Sequence, residues 1–225
     1  MTPSKTVPRL VFADPGEAAG LAAFLERLLR WEKNAAVRIK AEGGVAGVFA
    51  KPARFEVLAV RTGRLLEANG PIALDTTVAA GELLELVDER RELVTVPAAV
   101  TGPPWAGVLP PRSNWRALGE LPPDAVRTVA AATVAEFRER AEGLPESERT
   151  RERLDALAEE IWSRPLGRTD FPLRSVHAAH ALGFLRGDRP VGLFATGSWL
   201  RLRTHYGSVA VRRSTAAPGL PVTPV

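Results

Sequence analysis

Residues 198–214, SWLRLRTHYGSVAVRRS, alternate in the way a strand does. Leu200, Leu202 and Thr204 fall on one side of an extended chain, and Trp199, Arg201, Arg203 and His205 fall on the other. The turn His205-Tyr206-Gly207 leads into SVAVRR, where Val209 and Val211 restore the apolar side. Upstream, PVGLFAT (190–196) is a third strand, set off by Thr196-Gly197-Ser198. The prediction is a three-stranded antiparallel meander with one apolar face for a core. Its other face carries Trp199, Arg201, Arg203, His205 and Arg212, and with Arg213 these are the candidate nucleic-acid contacts. Two readings of that face stand. It is the wet side of an ordinary half-buried sheet, or it is a surface on which arginines meet phosphates and an aromatic stacks on bases.

Three helices precede the meander: PPDAVRTVAAATVAEFRERAEG, PESERTRERLDALAEEIWSRP and DFPLRSVHAAHALGFLRG, the last with Asp170 as its expected cap. Helices followed by a hairpin form the element order of a winged helix. Two details oppose that mode. The loop from Ser163 to Asp170 exceeds the ~3–4-residue turn of a helix-turn-helix. The third helix is apolar at its centre and offers only Arg174 and Arg186 at its ends, too little for base readout in a major groove.

The N-terminal part has its own pattern. RLVFA (9–13) is a strand, followed by a helix with Asp14 as N-cap and Pro15 at its first helical position. Leu21, Phe24, Leu25, Leu28 and Trp31 form its apolar stripe. AAVRIKA and VAGVFAK form a hairpin around Glu42-Gly43-Gly44, and RFEVLAV and RLLEA continue the sheet. Thr76 or Thr77 then caps a second helix, VAAGELLELVDERR, with Val78, Leu83, Leu86 and Val87 inward, and ELVTV closes the unit. The fold class is therefore α+β: a mainly antiparallel sheet with two packed helices, then three helices and the meander. Phe24, Leu28, Phe55, Val57, Leu83 and Leu86 are the expected core.

Between the two parts lies PAAVTGPPWAGVLPPRSNWRALGELPP, with seven prolines and two tryptophans. Prolines stop helices and cannot donate to a ladder. Trp105, Val108, Leu109, Trp115 and Leu118 are too apolar for a free linker. The expected organisation is an α+β domain over 1–97, a strap over 98–123 lying across the core, a basic helical and meander domain over 124–213, and a flexible tail over 214–225. A protein partner docking on the strap is the alternative.

Composition bounds the rest. The chain has 225 residues, 45% hydrophobic and 25% charged, with no cysteine, which excludes disulfides, thiolate metal sites and cysteine nucleophiles. No apolar run spans a membrane, and the N-terminus has no apolar core of a secretory signal. A cytoplasmic protein without membrane partners is expected. All but four of the 30 basic residues are arginine, as in a GC-rich, actinobacterial-like bacterial proteome. The charge is uneven. From residue 161 onwards nine arginines face only Asp170 and Asp188, whereas the first 160 residues are net acidic. Such asymmetry points to an anionic partner, nucleic acid first among them.

No phosphate-binding loop, nucleophile elbow or zinc-protease motif occurs. The sequence implies no cofactor and leans away from an enzyme. One weak metal pattern remains. His177 and His180 share a helix face and His205 sits in the meander, three imidazoles that could hold Zn²⁺. Three functions compete: a nucleic-acid-binding protein acting through its basic C-terminal unit, a protein-interaction or scaffold module, and an enzyme with a pocket between the halves.

Overall fold

The computed structural model describes residues 7–66 and 72–213. In chain order the strands are β1 (Arg9–Val11), β2 (Ala36–Glu42), β3 (Val45–Ala50), β4 (Leu58–Arg64), β5 (Leu74–Ala79), β6 (Val87–Asp88), β7 (Leu93–Thr95), β8 (Arg116–Leu121), β9 (Val191–Thr196), β10 (Trp199–Arg203) and β11 (Ser208–Arg212). The helices are α1 (Glu17–Trp31), α2 (Ala80–Glu85), α3 (Pro123–Glu142), α4 (Arg151–Trp162) and α5 (Leu173–Ala181). The fold is α+β. The expected meander is β9-β10-β11, and the three helices before it are α3 to α5. The tail from residue 214 and the end of RLLEA lie outside the described residues.

The strands β5-β2-β3-β4-β11-β10-β9-β8 form one eight-stranded antiparallel sheet, and β1-β7-β6 form a small second one. The large sheet is continuous across the two parts of the chain. Its seam is the β4–β11 ladder, where Ser208, Val209 and Ala210 oppose Val60, Ala59 and Leu58. On each side of the seam a helix leads into a three-stranded meander, α1-β2-β3-β4 and α5-β9-β10-β11. The two meanders meet by their last strands, antiparallel.

The two faces of the sheet differ. Ile39, Val48, Ala59, Leu200, Leu202, Val209 and Val211 join one core with Leu21, Phe24, Leu28, Val176 and Ala179 of the helices. Phe24 and Phe184 stack at 5.6 Å inside it. The opposite face is crossed by the proline-rich strap. The Val100 amide donates to the Thr77 carbonyl at 2.9 Å on the β5 edge. Arg38 donates to the Ala106 carbonyl, and Arg112 pairs with Glu42. The strap then ends as β8 on the opposite edge of the sheet. That strand was not evident beforehand: 116–121 is the one proline-free stretch long enough to ladder, and Pro122 and Pro123 end it and start α3.

Five of the six expected core residues are buried: Phe24, Leu28, Phe55, Val57 and Leu83. Leu86 is exposed, because the second helix is shorter than expected. Thr76 and Thr77 do not cap it. They lie in β5 opposite Ile39 and Arg38, where a β-branched run fits a pleated surface. Trp31 is also largely exposed, its ring edge-on to Phe55 at 5.0 Å.

Two further expected caps are corrected. Helix α1 starts after Gly16, whose φ of 84° an L side chain resists. Its free amides at Gly16 and Ala18 donate to the Glu92 carboxylate at 2.6 and 2.8 Å, while Asp14 pairs with Arg64 at 2.6 Å instead. Asp170 does not cap α5, whose N-cap is Pro172.

Among the described residues one charged side chain is buried. Arg61 projects from β4 under α1, donating to Glu17 and to the Tyr206 carbonyl, both at 2.7 Å. A Cβ on Gly20 would stand 2.2 Å from its Nη2, so the helical glycine makes room for the guanidinium. The same cation thus ties β4, α1 and the β10–β11 turn together.

Candidate functional site

The ladder places Trp199 opposite Arg212, Arg201 opposite Ala210 and Arg203 opposite Ser208. Side chains alternate faces along a strand, so Trp199, Arg201, Arg203 and Arg212 share the outer face, away from the core. Arg201 is held in place. Its Nε–H donates to the Ser208 hydroxyl at 2.9 Å, and its guanidinium lies 5.6 Å from the centre of the Trp115 ring. Trp115 is itself fixed by a 2.8 Å bond from its indole N–H to the Pro111 carbonyl. Burial, and then the charge of Arg203, push the Arg201 pKa down. Among the described residues no carboxylate pairs with Arg201, Arg203 or Arg212. Arg212 lies over the Trp199 ring at 5.1 Å. The acid closest by register is Glu120, two strands from Arg203 across Gly192.

The other two candidate contact residues diverge. Arg213 turns to Asp170 at 3.6 Å. His205 sits in the β10–β11 turn against Tyr206, whose ring also carries Arg186 at 4.8 Å. The histidines do not converge. His177 is stacked on Trp162 at 4.1 Å and edge-on to Phe55 at 4.9 Å. Burial, helped by the charge of His180, pushes its pKa down to about 4. His180 and His205 are exposed on separate elements. Among the described residues no three His, Cys, Asp or Glu side chains are grouped to hold a metal ion, so the zinc pattern is not assembled.

A cleft of about 720 Å³ opens at one end of the β4–β11 seam, between the halves, where the sequence offered a pocket but named no residues for it. Leu58 and Ala210 contribute to its floor, Trp105 of the strap and Trp199 to its sides, and the start of α5 to its rim. On the rim Arg174 bridges Glu56 at 2.7 Å and Glu159 at 2.6 Å. Glu56 holds a positive φ of 50°, rare for a residue with a side chain. Its lining was not legible in the sequence, because Trp105 and Trp199 lie in unrelated segments.

Two family models meet on this chain. Residues 5–107 match a domain of unknown function, DUF8010, and residues 110–216 match a second, DUF8185. No curated protein matches. The two matched segments abut inside the strap, just after Trp105. The sheet seam therefore joins one matched segment to the other. So does the cleft: Glu56, Leu58 and Trp105 come from the first, and Trp199, Arg212 and Arg213 from the second. No helix among the described residues is long and apolar enough to cross a membrane.

Proposed function

We propose that this is a cytoplasmic bacterial binding protein whose outer sheet face takes single-stranded nucleic acid without sequence preference. What carries the reading is Arg201. A desolvated guanidinium with no carboxylate partner is costly, and here it is immobilised between a serine hydroxyl and a tryptophan ring beside two further unpaired arginines. Phosphates supply the missing counter-charge. Trp115 and Trp199 supply flat surfaces for bases, which stack without regard to sequence. Nothing in α5 fits a groove of duplex DNA.

The test is fluorescence anisotropy of a labelled oligothymidylate over a salt series. Affinity should fall by about 0.7 log units per phosphate contact for each log unit of salt. Arg203→Ala, at an exposed position, should flatten that slope by about the same 0.7, and Arg201→Ala/Arg203→Ala by about twice as much. Equal, weak retention of wild type and double variant would overturn the proposal.

A further inference from the structure

The seam cleft has three chemically distinct walls. One is aromatic, made by Trp105 and Trp199. One is cationic, made by Lys51, Arg212 and Arg213. Lys51 and Arg212 have no carboxylate partner among the described residues. Arg213 has Asp170 only at 3.6 Å, and its Nε–H is buried with no acceptor at all. The third wall is acidic and strained: Glu56, with its positive φ, is held by Arg174. Residues in rare backbone conformations persist where the surroundings enforce them, and they cluster at ligand sites. The volume falls within the roughly 300–1,000 Å³ of small-molecule sites, which form preferentially where two structural units meet.

We propose that this cleft binds a nucleoside monophosphate. The two unpaired cations, Lys51 and Arg212, with the buried Arg213 Nε–H, match a phosphate dianion. The tryptophans match a planar base, and the Glu56 carboxylate accepts from sugar hydroxyls. A simple inorganic anion would leave the aromatic wall unused, and an apolar ligand would leave the cations unpaired. The proposal goes beyond strand binding because it needs neither Arg201 nor Arg203. It also requires both family-matched segments, since each supplies one tryptophan and at least one cation.

Isothermal titration calorimetry of the full chain with AMP tests it. Wild type should give a single-site isotherm. Trp105→Ala should weaken it about tenfold or more, as loss of one base-stacking surface does. Lys51→Gln, at an exposed position where folding is not at risk, should also weaken it severalfold. Arg201→Ala/Arg203→Ala should leave it unchanged, so failure of the strand reading and failure of this one are separable. The proposal is overturned by absence of binding at millimolar AMP, by identical isotherms for wild type, Trp105→Ala and Lys51→Gln, or by inorganic phosphate binding as tightly as AMP.

Discussion

Acid should weaken this fold before any of its perturbed carboxylates takes up a proton, and His177 is the reason. Its ring lies between Trp162 and Phe55, and burial holds its pKa at about 4 against an ordinary 6.5. Below pH 6.5 the unfolded chain binds a proton that the folded chain refuses, so stability falls as pH falls and levels off below pH 4. At pH 5 the loss relative to neutral pH is about 2 kcal/mol, from the ratio of the two protonation equilibria. The carboxylates pushed furthest from their ordinary range, Asp75 and Glu160, are lowered to about 2 by arginine partners. Their stability is present above the ordinary carboxylate range and is lost only at more acid pH. Urea unfolding at pH 7.5, 6 and 5 isolates the histidine. His177→Phe keeps an aromatic ring in the stack and removes the titration. Wild type should lose about 2 kcal/mol across the series through this group, and the variant should lack that loss. An equally steep decline in both proteins would refute the reasoning.

Two further substitutions probe the packing. Gly20→Ala should destabilise by about 1–3 kcal/mol in thermal or urea unfolding, although an exposed helical glycine replaced by alanine ordinarily gains about 1 kcal/mol, because the new methyl meets the Arg61 guanidinium. A gain in stability would show that Arg61 moves aside freely. Glu92→Ala should cost about 1–2 kcal/mol by freeing the first amides of α1, and hydrogen exchange should quicken first at Gly16 and Ala18. Unchanged protection there would mean the carboxylate is no cap.

Local patterns were legible wherever one face of an element is buried. The alternation in Trp199–Arg203 and the stripe Leu21, Phe24, Leu25 and Leu28 named their faces directly. The boundary of α2 was not legible, since Thr76-Thr77-Val78 suits a cap and a strand equally until β2 is there to pair with it. The Glu92 cap lies 76 residues from Gly16, and no local rule reaches that far. The shared sheet was invisible for the same reason. Each meander is complete as a pattern, and nothing in Leu58–Val60 or Ser208–Ala210 announces that they pair with each other. Of the candidate site, the arginines and Trp199 were legible from alternation. Trp115, which immobilises Arg201, and the cleft under Trp105 depend on where the strap lies.

The β4–β11 seam has a consequence for symmetry. Two helix-plus-meander units facing each other through antiparallel last strands are related by an approximate two-fold axis through the sheet, the relation that joins the subunits of an isologous dimer. Separated, each unit would present β4 or β11 as a bare edge, and a bare edge pairs with the nearest available strand. An antiparallel edge is its own complement. Either half expressed alone would leave that edge open to pairing with another strand.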